Sequence, residues 1–138
     1  MDGKIVNVTL VVRDKAKALE FYTERVGFEK KTDVTGPNGY RWVTVGPTGQ
    51  ELELALFEIG SAVDPEQAEW AKRWGPGTAP PIQIRVADCQ RTYAELSAKG
   101  VEFPHPPSTH PWGVAATFRD PDGNLFTISQ LAGWSKGP

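Results

Sequence analysis

The carboxylate of Glu53 is the side chain that the sequence best places to do chemistry. It belongs to an alternating run, Glu51-Leu-Glu-Leu-Ala-Leu-Phe57, which is typical of a strand with one leucine face and one mixed face. A carboxylate in an apolar-walled pocket either takes up a proton through a raised pKa or pairs with a cation. Glu53 could therefore act as a general base, bind a cationic ligand group or form an internal ion pair with Arg85. These three interpretations stay open.

Two histidines and one cysteine are the other candidates for chemistry. His105 and His110 lie in a Pro-rich stretch, which we expect to be a surface loop rather than part of a sheet. No carboxylate lies close to them in sequence to orient an imidazole, so we expect two exposed histidines and no shared metal. Cys89 has no second cysteine to pair with, and it lies in an apolar helix stripe. It is expected to be a small buried side chain rather than a nucleophile.

Glu53 lies in a unit that the chain contains twice. Pro121 to Leu131 repeats the pattern of Pro47 to Phe57 after 74 residues, and each stretch is a Pro-x-Gly turn leading into an alternating strand. Thr127 stands in the second copy where Glu53 stands in the first. Further pairs at the same offset are Asn7 and Pro81, Val12 and Val86, Asp14 and Asp88, and Gly39 and Gly113. The sequence predicts one domain over 1–138, with repeats at 4–60 and 78–132 joined by a helical connector at 61–77.

Each repeat is predicted to be a β-α-β-β unit, with a further short strand near Lys30 to Val34. The first repeat starts with an alternating strand, Ile5 to Val12, followed by a helix that Asp14 caps and Gly27 ends. Two strands joined by a hairpin complete it, at Tyr40 to Val45 and Glu51 to Phe57.

The connector is predicted to hold a helix at 64–75, with Asp64 as its cap and Pro65 in its first turn. Trp70 and Trp74 are four residues apart and therefore adjoin on one side of this helix. We expect them to pack on the domain or to form a dimer surface, with a lid over a ligand as the alternative.

Two such units make an α+β fold in which each sheet covers helices with one face and leaves the other face free. If the strands curl, the free faces line a cup, and residue parity along the strands decides which side chains point into it. These side chains are Asn7, Thr9, Tyr40, Trp42, Thr44, Glu51, Glu53, Gln83, Arg85, Thr127 and Ser129. Trp112 is expected at the rim. A polar floor with aromatic walls is the usual composition of a small-molecule pocket.

The chain resembles the vicinal oxygen chelate superfamily, which includes glyoxalase I, extradiol dioxygenases, fosfomycin resistance enzymes and bleomycin resistance proteins. The resemblance rests on Asn-Val-Thr-Leu-Val-Val-Arg-Asp at 7–14, Ala18-Leu-Glu-Phe-Tyr22 with Val26-Gly-Phe28, Glu51-Leu-Glu-Leu54, Pro111-Trp-Gly113 and Asp120-Pro-Asp-Gly-Asn124. It implies the glyoxalase/bleomycin resistance/dioxygenase fold, two β-α-β-β(-β) repeats forming a curled mixed-sheet cup. It leaves the activity open, because one fold hosts many functions.

Metal-using members of this superfamily draw their ligands from four symmetry-related positions, which correspond here to Asn7, Glu53, Pro81 and Thr127. Only Glu53 is a strong ligand, because proline has no side-chain donor atom and the other two side chains offer neutral oxygens. The resemblance therefore implies no metal and no cofactor. Isomerisation of the glyoxalase type and ring-cleaving dioxygenation, which use a Lewis acid or a redox metal, are not expected.

The resemblance to bleomycin resistance proteins extends to size and to the missing metal set. Those proteins bind a bulky cationic drug in Trp-lined clefts of a dimer. In this chain the indoles of Trp42 and Trp112 could hold a flat ligand between them. We predict metal-independent binding of a small aromatic or amphipathic molecule by a homodimer. The predicted ligand-binding residues are Asn7, Thr9, Trp42, Glu51, Gln83, Arg85, Trp112, Thr127 and Ser129, with Glu53 as the catalytic candidate. The alternatives are an enzyme that uses Glu53 as base or a non-standard metal site, and a dimeric accessory module without its own ligand.

Composition narrows the class of partner. The formal net charge is −2, and the basic residues are scattered rather than gathered into a stripe that could neutralise phosphates. No apolar run approaches the roughly 20 residues that cross a bilayer, and the first residues lack the apolar core of a signal peptide. We therefore expect a cytoplasmic protein that binds neither nucleic acid nor membrane.

Overall fold

The computed structural model describes residues 1–62 and 65–132, and these form two compact units that divide between residues 79 and 80. The first unit contains strands β1 to β4 with helices α1 and α2. The second contains β5 to β8 with helix α3. The strands are β1 Asn7–Val12, β2 Glu29–Thr35, β3 Arg41–Gly46, β4 Glu53–Glu58, β5 Ile82–Arg85, β6 Glu102–His110, β7 Gly113–Arg119 and β8 Leu125–Leu131. The helices are α1 Lys15–Glu20, α2 Pro65–Arg73 and α3 Cys89–Ala98.

Each unit contains one mixed four-stranded sheet, which confirms the predicted fold class. The strand orders are β1-β4-β3-β2 and β5-β8-β7-β6, with β1 parallel to β4, β5 parallel to β8 and the remaining pairs antiparallel. The strand foreseen near Lys30 to Val34 is β2. Parallel neighbours need a crossover connection, and the long return between β1 and β4 contains α1 and the β2-β3 hairpin.

The helical segment that starts with α1 begins and ends at the predicted residues. The carboxylate of Asp14 accepts a hydrogen bond from the backbone N–H of Lys17, and the helix continues through a π-helical segment, Phe21–Val26, to Gly27. Gly27 adopts φ 87°, the left-handed conformation that glycine tolerates at a helix C-terminus. In the second unit Asp88 caps α3 through the N–H of Arg91. The two caps are 74 residues apart, as the repeat predicts.

The leucine and valine face of the first sheet forms its core. Leu10, Val12 and the two β3 valines at 43 and 45 are at most 1% exposed. Val8, which was predicted to share this face, is 41% exposed. Side chains on this face are therefore buried in the C-terminal half of β1 and exposed at its start.

Helix α2 packs on the opposite face of the first sheet, at the end of β4. Its Ala71 is buried in a cluster with Val11 and Phe57, and the indole of Trp70 lies 4.8 Å from the Phe57 ring centroid. Trp74 is 50% exposed. In this arrangement α2 is a packing element that covers the Phe57 end of the sheet. The predicted cap, Asp64, lies outside the described residues.

The core of the second unit is built on stacked aromatic rings. Phe118 and Phe126 lie on neighbouring strands with centroids 5.1 Å apart and are fully buried. Phe103 of β6 meets Phe118 edge-on at 5.6 Å. These contacts join three adjacent strands, and side-chain pairs of this kind are a main source of sheet stability.

The prediction that 105–112 forms a surface loop is wrong for most of that stretch, because β6 runs from Glu102 to His110. It lies at the edge of its sheet, where a missing proline N–H leaves no partner unsatisfied. The residues of β6 that pair with β7 are Glu102, His105, Ser108, Thr109 and His110. The three prolines, at 104, 106 and 107, fall in the two register shifts between these pairs.

The prediction of one constant offset between the repeats is also wrong for β8. The backbone N–H of Lys15 donates to Glu58 Oε1, and the N–H of Cys89 donates to Gln130 Oε1, each over 2.8 Å. These equivalent bonds place Gln130 only 72 residues after Glu58. In agreement, Gln83 rather than Pro81 lies opposite Thr127. The register of β8 therefore agrees with the contact between the end of the strand and the start of the helix. The matching Pro-x-Gly turns alone did not predict it.

Among the described residues, no helix is long and apolar enough to span a membrane.

Candidate functional site

The carboxylate of Glu53 lies at the start of β4, on the face opposite the leucine core. Asn7 of β1 is its partner in the parallel ladder. The hydroxyl of Thr44, on β3, donates a hydrogen bond of 2.9 Å to Glu53 Oε1, and Thr44 itself has no exposed surface. Within the described part of its unit, 1–62 and 65–79, Glu53 Oε2 has no hydrogen-bond or ion-pair partner. One carboxylate oxygen is thus fixed while the other can accept a bond from a ligand.

The same face changes from polar to aromatic along β4. Phe57 lies four residues beyond Glu53, about 13 Å along the strand. It contacts Trp70 and the ring of Tyr40, whose centroid is 5.9 Å away. Trp42 is two residues from Thr44, so it shares this face, and it is 37% exposed. Because Thr44 pairs with Ala55, Trp42 is level with Phe57, so this face carries the acid at one end and the accessible indole with the aromatic cluster at the other. Tyr40, Trp42 and Thr44 share the face that parity predicted for them.

Two other predicted residues of the first unit lie at more open positions. Thr9 is exposed in β1 opposite Ala55. Glu51 precedes β4 instead of belonging to it, and its side chain is 85% exposed with Lys4 Nζ at 3.3 Å. The strand thus begins two residues later than the alternation indicated, so parity does not fix where Glu51 points.

The second unit brings its predicted residues together on β5 and β8. Gln83 lies opposite Thr127, and Arg85 lies opposite Ser129. Gln83 and Arg85 are exposed, whereas Ser129 is buried. The hydroxyls of Thr127 and Thr117 are 3.0 Å apart and share a hydrogen bond. This row offers amide, guanidinium and hydroxyl groups, without a carboxylate.

Trp112 lies in the turn between β6 and β7. Its indole stacks on the His110 ring, with centroids 4.8 Å apart and planes at 2°. The imidazole Nε2 of His110 is 3.0 Å from the Ser108 hydroxyl. His110 therefore supports an exposed aromatic surface. The predicted ion pair of Glu53 with Arg85 joins residues of different units and stays a prediction.

The four positions at which the family places metal ligands do not fit a divalent ion in this chain. Asn7 and Glu53 adjoin and supply one amide and one carboxylate, but Pro81 has no side-chain donor. The Thr127 hydroxyl is neutral and already bonded to Thr117, and the residue two positions earlier, Leu125, is apolar. Across residues 1–62 and 65–132 no three His, Cys, Asp or Glu side chains cluster as a metal site would need.

Cys89 is fully buried, as predicted. Its Sγ is 3.7 Å from the carbonyl oxygen of Ile128. Burial, and secondarily the negative charge of Asp88, raise the pKa of this thiol. A neutral, inaccessible thiol is a structural side chain rather than a nucleophile.

Sequence reasoning missed the polar cluster at the opposite end of β4, around Lys15 and Glu58. Lys15 is only 8% exposed, although lysines are almost always at the surface. Nothing in the sequence indicated that Lys15 is buried, because it directly follows the helix cap and does not belong to the apolar stripe of α1. The Glu58 side chain was missed because the predicted strand ended at Phe57.

Comparison with known proteins agrees with this architecture. The family model "Glyoxalase/Bleomycin resistance protein/Dioxygenase superfamily" matches residues 4–128. The uncharacterized protein YurT of Bacillus subtilis (strain 168) is 40% identical over 129 residues, covering 92% of this chain and 98% of YurT.

Two solved structures are similar along nearly the whole chain. UcmS2 is 34% identical with a TM-score of 0.79, covering 94% of this chain and 98% of its own. TnmS3, described as an antibiotic binding protein from Streptomyces sp. CB03234, is 32% identical with a TM-score of 0.77, covering 94% and 97%. With the family model matching most of its length, this chain belongs to the glyoxalase/bleomycin resistance protein/dioxygenase superfamily.

Proposed function

We propose that this protein binds a small aromatic or amphipathic molecule without the help of a metal, and that Glu53 accepts a hydrogen bond from a cationic or N–H group of that ligand. The observation that carries the proposal is the hydrogen bonding of the two Glu53 carboxylate oxygens. Thr44 fixes Oε1, while Oε2 has no partner within the described part of the unit. A pre-oriented acceptor loses little conformational freedom when a ligand binds to it.

The surroundings of Glu53 suit a ligand with an aromatic part. Trp42 is 37% exposed on the same face, about 13 Å along the sheet from Glu53, so a ligand of that length can place a flat ring on the indole while its donor group reaches the carboxylate. Aromatic contacts of this kind contribute about 0.5–1.5 kcal/mol beyond the area they bury. A cation near the indole gains further from the negative face of the ring.

The relatives support binding more directly than the fold does. One fold of this kind hosts many activities, so superfamily membership alone selects none. TnmS3, at 32% identity across nearly the whole chain, is described as an antibiotic binding protein. We propose the same class of function here, the capture of a small organic molecule, and leave the compound to experiment.

Metal independence is part of the proposal, and it rests on the chemistry of the donors. Asn7 and Glu53 supply one neutral and one charged oxygen, and Pro81 supplies none. A divalent ion bound by so few protein ligands would be weakly held. The cup lined by both repeats stays a prediction. The homodimer also stays a prediction, and light scattering would check it.

The test is a titration with three flat probes of similar shape and different charge, followed by tryptophan fluorescence in the presence of EDTA. The probes are the 9-aminoacridine cation, neutral acridine and the acridine-9-carboxylate anion. We expect the affinity to fall in that order. Preference for the anion, or binding that EDTA abolishes, would contradict the proposal.

A further inference from the structure

A cavity of about 350 Å³ lies in the first unit where β1 leads into α1. Its lining includes Lys15, Asn38, Tyr40, Glu58 and Ser61. Glu58 lies five residues beyond Glu53 on β4, about 16 Å along the strand. The cavity is therefore separate from the carboxylate to which the proposed function assigns ligand binding, and the inference below does not rest on that function.

The ammonium group of Lys15 is the central feature of this cavity. It donates to the carbonyl oxygen of Arg41 over 2.6 Å and lies 4.6 Å from the Tyr40 ring centroid. Lys15 is only 8% exposed, and no carboxylate oxygen of the described residues lies within 4 Å of its Nζ. Burial is the main cause that lowers the pKa of this amine. The charges of Glu58 and Asp33 offset part of the cost of burying this ammonium, but burial outweighs them, and an anion from outside would relieve the remainder.

The second repeat has an uncharged residue at the position that corresponds to Lys15. The N–H of the first α1 residue, Lys15, donates to Glu58, and the N–H of the first α3 residue, Cys89, donates to Gln130. Cys89 is apolar in character and has no exposed surface. The fold therefore does not require a cation at the first position of the helix. The buried lysine is specific to the first repeat.

We infer that this cavity binds a small organic monocarboxylate, with a carboxylate oxygen against Lys15 Nζ. The lining contains two cations and two carboxylates, since Lys15 and Arg41 are accompanied by Asp14 and Glu58. Arg41 is already held by Asp33, with Nη2 at 2.8 Å from Oδ2. Asp14 and Glu58 each accept a backbone N–H at the start of α1, and their negative charges repel a phosphate dianion more than a ligand of single negative charge. Ser61 and Asn38 supply polar contacts for a hydroxyl substituent.

The test follows backbone amide chemical shifts in the NMR spectrum as lactate is added at constant ionic strength. We expect saturable shifts at Gly39, Arg41 and Ser61 at millimolar lactate, and affinity about tenfold lower in Lys15→Met. Lys17→Met is the matched control, since Lys17 is exposed in the same helix, and it should bind as the wild type does. Absence of saturation, or equal affinity in both variants, would overturn the inference.

Two further measurements use the unaltered protein, so they do not depend on how the variant folds. Inorganic phosphate should bind more weakly than lactate, and tighter phosphate binding would overturn the assignment to a monocarboxylate. Saturating lactate should raise the pKa of the Lys15 ammonium, followed by the carbon-13 shift of its Cε, because a nearby anion favours the charged form. An unchanged Lys15 pKa at saturation would show that the anion binds elsewhere.

Discussion

The Thr44 hydroxyl donates a hydrogen bond to Glu53 Oε1 across the β3-β4 ladder, over 2.9 Å, from a side chain with no exposed surface. The second repeat has a hydroxyl pair, Thr117 and Thr127, between the corresponding strands. The scaffold thus supports a polar contact in both sheets but presents a charged acceptor only in the first. This asymmetry is the basis of the binding function that we propose.

Replacing Thr44 by valine keeps the side-chain shape and removes the donor. We expect Thr44→Val to lower the free energy of unfolding by about 1 kcal/mol, because a partly buried carboxylate loses its bond. Cation binding should also weaken, since the Glu53 carboxylate is no longer oriented. Urea denaturation and a 9-aminoacridine titration measure the two effects.

Thr48→Val is the control for this substitution. The Thr48 hydroxyl also donates to a glutamate, Glu29, over 3.0 Å, but at an exposed position. Its loss should leave both quantities nearly unchanged. Equal behaviour of the two variants would mean that the buried bond has no special role.

Gly113 should be intolerant of any side chain. It begins β7 with φ 147°, and a Cβ there would overlap the Gln130 carbonyl oxygen of the neighbouring strand. We expect Gly113→Ala to prevent folding or to lower the melting temperature far more than Gly27→Ala. Gly27, at φ 87°, has open space around it and should lose only about 1 kcal/mol from left-handed strain. Thermal unfolding followed by circular dichroism makes the comparison, and similar losses would contradict the register of β7 and β8.

Lys15 should make stability rise at alkaline pH. Burial lowers its pKa in the folded state below the ordinary value of 10.5. Between the lowered and the ordinary pKa the unfolded chain binds more protons, so the free energy of unfolding increases with pH through this window. Lys15→Met lacks this contribution, so the stability of the wild type relative to this variant should rise as the pH approaches 10.5. A difference that is constant with pH, measured by urea denaturation, would contradict the burial of this amine.

The Cys89 thiol should be unreactive in the native protein. Burial and the Asp88 charge raise its pKa, and its side chain has no exposed surface. Modification by a disulfide reagent such as Ellman's reagent should be slow and should accelerate with urea in step with unfolding. Rapid modification without denaturant would show that the N-terminus of α3 opens readily.

The sequence was a good guide to local features that one or two residues determine. Asp14 and Gly27 bound the helical segment formed by α1 and its π-helical continuation, because a side-chain cap and a left-handed glycine need no distant partner. The buried thiol of Cys89 followed from its helix stripe. The mixed face of β4, with Glu53 and Phe57, followed from alternation, since parity is a property of the strand itself.

Features that depend on which strands lie side by side were less accessible. The prolines between 104 and 107 indicated a loop, but an edge position allows them in β6, and edge position is a property of the sheet. The two-residue change of register in β8 depends on where Gln130 meets Cys89. Lys15 was missed because its burial depends on Tyr40 and Arg41, which come much later in the chain.

The most direct test of the account is the calorimetric affinity for the 9-aminoacridine cation in EDTA, compared among the wild type, Glu53→Gln and Glu20→Gln. Glu20 is exposed on α1 and serves as a control for the loss of one negative charge. The account predicts that Glu53→Gln weakens binding by about tenfold, equivalent to about 1.4 kcal/mol, and that Glu20→Gln binds as the wild type does. Equal affinity of all three proteins, or binding that appears only when a divalent metal is restored, would contradict it.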